Sequence, residues 1–376
     1  MKRSSLDIMI WMKIMLDKIM KMLFVSLLLC LVSCTHVQKK ENLRDDIAQM
    51  IVFACDGTTA EKGSDFERLL SQHPFAGVIL FDTRPGFPNR NIETPEGLKA
   101  LTARLQQIAG DNKLLIAVDQ EGGKVARLRS QLGFLKHPTP SEFNLLSKEQ
   151  KSIAAGRLVK ELKSYGINLN LAPLVDVNRN PRNFINKKGR TFSALNKEVV
   201  ESASQFIEEH HKIGLLTSIK HFPGHGSSHG DSHHGMVDVT ETWHENELEP
   251  YRQLIKKGKV DIVMSAHIFQ RKLDPKYPAT LSNKIITGIL REQLNYQGVV
   301  ISDDLKMKAI KGRYDSKEAI ALMINAGIDL LLISQSNYEE ITQTIKIIEE
   351  LVAEGKVSKE SIRESADRVR ALKESL

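Results

Sequence analysis

Cysteine is almost missing from this chain. Cys30, Cys34 and Cys55 are the whole complement in 376 residues, and the first two lie in or at the end of an N-terminal apolar run. Cys55 is then left alone, so no disulfide framework is available and a buried core must hold the fold. Aromatic residues are sparse at 6% and do not interleave with basic runs, which argues against a strand-binding groove of the nucleic-acid type. The net charge of +7 is mild and evenly spread, so no nucleic-acid partner is expected. A Gly-x-Gly-x-x-Gly loop is absent, which removes the main signal for a doubly wound open sheet. No Pro/Ser-rich linker or composition shift follows Arg44, and this length permits one large domain.

A long hydrophobic run is also lacking. Met22 to Val32 is apolar except for Ser26 and follows Lys13, Lys18 and Lys21. That is too short to cross a bilayer and fits a signal-peptide core. The run ends in Leu31-Val32-Ser33-Cys34, which resembles a bacterial lipobox. The resemblance implies a signal peptide over residues 1–33, a lipid on the Cys34 thiol and a polar tether over 34–43. Residues 1–33 hold five basic and two acidic side chains, so their removal lowers the net charge from +7 to +4. The expected location is the periplasmic side of a bacterial membrane. Thr35, where some inner-membrane lipoproteins carry Asp, points to the outer membrane.

What the chain does have is a series of eight short apolar segments, each ending in a polar residue. They are Gln49 to Asp56, Gly77 to Asp82, Leu114 to Gln120, Ile167 to Asp176, Leu215 to His221, Val260 to His267, Gly298 to Asp304 and Gly327 to Ser334. Continuous Val/Ile/Leu runs suit parallel strands covered on both faces, and stretches between them, such as Glu198 to Ile213 and Asn337 to Glu354, carry helical spacing. Eight strand-helix units predict an α/β fold, a (β/α)8 TIM-type barrel forming a single catalytic domain, with the polar terminators gathered at one mouth. Pro173 in the fourth segment predicts a bulge or an early strand end.

The densest chemistry follows the fifth segment. Lys220-His221-Phe222-Pro223-Gly224-His225-Gly226 runs on through Ser227, Ser228, His229 and Gly230 to Asp231-Ser232-His233. A polar loop punctuated by glycine gains little from burial and suits function. A metal site is disfavoured, because Pro223 and the glycines break the helical His-x-x-x-His face that zinc enzymes use. A solvated histidine-rich loop is the plain alternative. The sharper reading pairs Asp231 with His233: two residues apart in extended chain, their side chains lie on one side and the carboxylate can hold the imidazole as a general acid/base. His225, His229 and His234 are read as loop residues.

Two further strand ends carry carboxylates. Asp119 closes the third strand in Asp119-Gln120-Glu121-Gly122-Gly123-Lys124-Val125-Ala126-Arg127 and should face the rim, where it can accept two hydroxyl hydrogen bonds from a sugar. Arg127 can donate to the same hydroxyls or hold Asp119. Glu121 with Gly-Gly reads as a tight strand-to-helix turn. Lys220, once buried, needs a partner, and a hydroxyl cluster with Asp119 would supply one. Ser302-Asp303-Asp304-Leu305-Lys306-Met307 ends the seventh strand; adjacent carboxylates point to opposite faces, so one should face the site while the other is paired or solvated. Asp176 is read as ordering the loop after the fourth strand, and His267 as lining the rim.

These motifs together resemble bacterial family 3 glycoside hydrolases of the β-N-acetylglucosaminidase type, over roughly residues 44–376. The resemblance implies an N-terminal-type barrel domain of that family and retaining removal of terminal β-linked N-acetylglucosamine. It makes Asp303 the nucleophile, His233 the acid/base and Asp231 its partner, and leaves Asp304 structural. It assigns Asp119, Arg127, Lys220 and His221 to the sugar, and Arg190 as well, through Gly189-Arg190-Thr191-Phe192. Lys124 and Thr191 depart from the family pattern. No metal or organic cofactor is implied, the partner is a small β-N-acetylglucosaminide, and a monomer is expected. Peptidoglycan fragments and chitin-like oligosaccharides both remain open as substrates, as does phosphate as an acceptor in place of water. Three other readings stay open: an amino-sugar-binding lipoprotein without activity, a β-glucosidase-type member of the family, and a purely structural wall-associated protein.

Overall fold

The computed structural model describes residues 42–83, 90–230 and 235–376, with residues 9, 12, 15–17 and 20 of the N-terminal stretch. The apolar run before Cys34, Cys34 itself, Asp231, His233 and His234 lie outside the described residues. Leu43 to Leu376 forms one compact unit.

All eight apolar segments form strands of one parallel sheet: β1 Ile51–Phe53, β2 Gly77–Ile79, β3 Leu115–Val118, β4 Leu169–Asn170, β5 Leu216–Phe222, β6 Ile262–Ser265, β7 Val299–Ile301 and β8 Leu331–Ile333. They pair in the order β7-β6-β5-β4-β3-β2-β1-β8, and a parallel bridge between Ile301 and Leu330 joins the two ends. The sheet is therefore a closed barrel, and the open doubly wound alternative falls. Closure removes edges that would expose unpaired backbone groups.

Strand alternation explains why the runs are apolar on both faces. Val52, Ala117, Leu169, Leu216, Ile262 and Ile301 belong to one buried cluster, whereas their neighbours Phe53, Ile116, Ile219, Val263 and Val300 belong to a second, larger one shared with the helices. Successive side chains point to opposite sides of the sheet, so a barrel wrapped in helices needs apolar residues at every strand position. Burial of each such Val, Ile or Leu contributes about 2 kcal/mol relative to exposure.

A helix follows each strand: α1 Asp65–Gln72, α2 Pro95–Ala109, α3 Lys148–Ser164, α4 Asn196–His211, α5 Glu249–Lys256, α6 Lys284–Gln293, α7 Ser316–Ala326 and α8 Tyr338–Ala353. α6 is π-helical throughout. Their ends follow local rules. Ser147 and Gln150 form a capping box on α3, and Thr94 caps α2 with Pro95 in its first turn. Ala155, Leu158, Val159 and Leu162 then bury one stripe of α3. The C-terminal helix Lys359–Glu374 joins the barrel through Asp329, which accepts hydrogen bonds from Ser365 (3.0 Å), Arg368 (2.9 Å), Arg291 (2.7 Å) and the Val300 amide (2.8 Å). Those bonds stand where β7 meets β8.

The fourth strand ends early, as Pro173 demands. Beyond Asn170 its pairing with β5 continues as one bridge, Leu174 to Lys220. The buried Asn170 side chain continues the ladder toward β3 in its place, accepting from the Gln120 amide and donating to the Gln120 carbonyl, both at 3.0 Å.

Candidate active site

The site is assembled at the C-terminal ends of the strands. Between β3 and α3 the chain first makes a short ribbon, in which Gln120–Gly122 pairs antiparallel with Val125–Ala126. The buried Gln120 amide fixes that ribbon, accepting from the Leu128 amide at 3.0 Å. Gly122 and Gly123 take left-handed φ of 99° and 59°, and a Cβ at Gly122 would lie 2.1 Å from the Pro138 carbonyl oxygen, so this turn admits no side chain.

The ribbon delivers Asp119, Glu121 and Arg127 to one place. Lys220 Nζ lies 2.8 Å from both Asp119 Oδ1 and Glu121 Oε1. Arg127 donates to Asp119 Oδ2 at 3.0 Å and lies 4.9 Å from the centre of the Phe81 ring. Arg190 reaches in from the loop after β4 and grips Glu121 with two parallel bonds of 2.8 and 2.7 Å. Glu121 is therefore no turn residue: its side chain is fully buried between two cations.

Burial favours the neutral form of each of these groups, and the opposite charges outweigh it. Lys220 and Arg127 hold the Asp119 carboxyl below the usual carboxylate range against the effect of burial. Arg190 and Lys220 hold Glu121 at about 2. Burial alone would lower Lys220 and Arg190, yet Asp119 and Glu121 keep Lys220 raised, and Glu121 does the same for Arg190. The cluster is a preformed, charged surface of donors and acceptors aimed at polar substrate groups, and at low dielectric such bonds are strong.

β5 continues this surface into the histidine loop. His221 Nδ1 lies 2.7 Å from Asp176 Oδ2, while Asp176 Oδ1 accepts from the amides of His221 (3.3 Å) and His225 (2.7 Å). Asp176 thus orients His221 and fixes the start of the next loop, a wider task than ordering its own. Burial raises its carboxyl, but His221 more than offsets this and the net shift is downward. His225 is buried, with Nδ1 2.8 Å from Ser228 Oγ, and burial pushes its imidazole down to about 4. It lies in the loop, as expected, but buried within it.

At the end of β7 the two carboxylates part company. Asp304 accepts from the amide and hydroxyl of Ser334 and from the Lys306 amide. Its carbonyl lies 3.0 Å from Nε2 of the buried His267, so His267 braces this turn from within. Asp303 accepts from the Asp304 amide at 2.8 Å. Among the described residues, no group of three or more His, Cys, Asp or Glu side chains could hold a metal ion.

Of the residues singled out in the sequence, Asp119, Arg127, Lys220 and Arg190 meet in one network through Glu121. His221 adjoins it through Lys220, and Asp303 follows β7 at the same end of the barrel. Glu121 and Asp176 both do more than their local sequence suggests. The signal for Glu121 is its spacing: two residues from Asp119, it shares a side with that carboxylate.

Comparison with known proteins places this site in context. Residues 42–372 match the glycosyl hydrolase family 3 N terminal domain. The β-hexosaminidase A of Pseudoalteromonas piscicida is 31% identical over 338 residues, covering 83% of this chain and 55% of that one. The β-hexosaminidase of Tolumonas auensis is 37% identical over 275 residues, 71% of this chain and 78% of that one. Among solved structures, a family 3 β-N-acetylglucosaminidase from Paenibacillus superposes with a TM-score of 0.81 at 34% identity, over 89% of this chain and 62% of that one. The β-N-acetylhexosaminidase of Beutenbergia cavernae gives 0.79 at 26% identity, over 89% and 99%. The chain thus spans just over half of the Pseudoalteromonas protein and nearly all of the Beutenbergia one. On the strength of its matched barrel, from the first strand to the C-terminal helix, this chain belongs to glycosyl hydrolase family 3.

Proposed function

We propose that this protein is a retaining exo-β-N-acetylglucosaminidase that releases terminal β-linked N-acetylglucosamine from peptidoglycan fragments or chitin-like oligosaccharides. The observation that carries this reading is the buried network Asp119–Lys220–Glu121–Arg190 at the C-terminal ends of the strands, the end of the barrel at which Asp303 follows β7. The β-hexosaminidase and β-N-acetylglucosaminidase names of its relatives support the same substrate class.

The chemistry is double displacement. Asp303, ionised, attacks the anomeric carbon while His233, held by Asp231, gives its proton to the departing glycosidic oxygen; the C–O bond breaks as the covalent glycosyl ester forms. His233 then takes a proton from water, which displaces Asp303 and restores both groups. An imidazole near neutrality can act in both directions without the raised pKa a carboxylic acid needs in that role. Asp119, Arg127, Lys220, His221 and Arg190 hold the sugar hydroxyls, and their mutual pairing aligns them before the sugar arrives. The protein works as a monomer, anchored through a lipid on Cys34 to the periplasmic side of a bacterial membrane.

The test uses the full chain in detergent with chromogenic β-N-acetylglucosaminide and β-glucoside substrates, beside D303A and H233A. Release from the N-acetyl substrate alone, lost by at least about 10³-fold in D303A, is the expected result. No release, with N-acetylglucosamine still bound, would replace the hydrolase with an amino-sugar-binding protein. Labelled fatty acid incorporated into the wild type and not into C34A checks the anchor.

A further inference from the structure

Within the histidine loop, the His225–Ser228 pair supplies the internal hydrogen bonds, and most of its other carbonyls look to neighbouring elements. From Pro223 to Gly230 it contains three glycines, no aliphatic side chain beyond Pro223 and no regular secondary structure. The loop between β4 and α4 adds to this through three asparagines spaced three residues apart.

Asn183 is wholly buried. Its Nδ2 donates to the His225 carbonyl (2.8 Å), to Ser228 Oγ (2.8 Å) and, more weakly, to the Gly226 carbonyl (3.3 Å). Its Oδ1 accepts from the Ile185 amide at 2.9 Å, capping the turn Phe184–Lys187. One face of the amide thus builds its own loop and the other grips the neighbouring one. Asn180 adds a second grip: its amide donates to the Gly226 carbonyl at 3.2 Å and its Nδ2 to the Ser228 carbonyl at 2.9 Å. Asn186 braces Asn180 by donating to its carbonyl at 2.6 Å. The two loops touch so closely that a Cβ on Gly226 would lie 1.7 Å from the Val177 carbonyl oxygen.

We propose that Asn180, Asn183 and Asn186 are positioning residues for acid/base catalysis, fixing the carbonyls of His225, Gly226 and Ser228 and so the point from which the chain runs on to Asp231 and His233. This rests on the reading of His233 given above. Apolar packing would bury the loop equally well, but only donors aimed at carbonyls fix its rotation. Arg190 belongs to the same β4–α4 loop, so one segment braces both the sugar-binding network and the histidine loop.

The test compares two glycosides in the full-length wild type, N183D, N180A and H233A. The 2,4-dinitrophenyl N-acetylglucosaminide has a leaving group that departs without a proton; N,N′-diacetylchitobiose needs one. Asn183→Asp keeps the Ile185 cap and removes the donors to the histidine loop, and Asn180→Ala, at a half-buried position, is the milder probe. A misplaced acid/base predicts that kcat/KM for the disaccharide falls by about 10²-fold in N183D, and less in N180A. For the aryl glycoside kcat and KM fall together, leaving kcat/KM nearly unchanged, and H233A shows the same split. An equal fall on both substrates, as a simple loss of folded protein gives, or no fall on either, overturns the proposal. A wild type inactive on both overturns the proposed function and the positioning role with it, whereas an active wild type whose variants show no split overturns the positioning role alone.

Discussion

Replacing Glu121 by Gln is the sharpest probe of the charge network. The change keeps shape and one acceptor but removes the negative charge from a fully buried position between Arg190, at 2.7 and 2.8 Å, and Lys220, at 2.8 Å. Two routes give its size. The folded carboxyl is held at about 2 against an ordinary 4.5, a difference equivalent to about 3 kcal/mol of stability at neutral pH. Breaking a buried ion pair from one side costs about 3–5 kcal/mol. Both predict that E121Q loses roughly 3 kcal/mol, or about 4 °C in Tm for a domain of this size. The pH dependence follows from the sign. A carboxyl depressed in the folded state contributes fully above its unfolded value and loses that contribution as pH falls toward the folded one. The gap between wild type and E121Q should therefore be constant at pH 6 to 8 and shrink by about 1.4 kcal/mol by about pH 3.5. Urea unfolding across that range measures it directly, and KM for the N-acetylglucosaminide should rise in parallel, because Arg190 and Lys220 lose the group that aims them. A Tm within about 1 °C of wild type, with an unchanged KM, would refute the assignment of Glu121 as the centre of the network.

Two further outcomes are expected. Gly226→Ala must push the histidine loop away from the Val177 backbone, since the added carbon would lie 1.7 Å from a carbonyl oxygen; kcat/KM should fall by about 10²-fold with a much smaller effect on Tm, and an active variant would refute the close approach. Asp329→Ala strips Arg291, Arg368 and Ser365 of their shared acceptor at the seam between β7 and β8, and should cost about 3–5 kcal/mol by urea unfolding while leaving KM unchanged in the protein that remains folded.

The eight strands were legible because a barrel wrapped in helices demands apolar residues on both strand faces, and that leaves continuous runs such as Val299-Val300-Ile301. Their order around the barrel followed from the repeat. Pro173 likewise announced the early end of β4, although not that the Asn170 side chain would carry the ladder on. Asp119, Lys220 and Asp303 could be picked out because each is a costly polar residue at the end of an apolar run, where only the mouth can accommodate it. The family resemblance added Arg190, which no local pattern distinguishes from a surface arginine.

Partnership across loops was beyond the sequence. Glu121 and Arg190 are 69 positions apart and Asp176 and His221 are 45 apart; each pairing exists only because barrel closure brings the ends of different strands together. Glu121 therefore read as a turn and His225 as a loop histidine, since burial, which decides the state of both, is set by neighbours distant in the chain. The asparagines of the β4–α4 loop were silent for the same reason: an Asn in a polar loop ordinarily bonds its own backbone or water, and only tertiary packing lays another loop's carbonyls against it. The sequence determined the barrel and the residue types at its mouth, because both follow from local pattern. The tertiary structure decided which charges neutralise one another and which loop holds which, because electrostatic pairing and hydrogen bonding depend on distance in space.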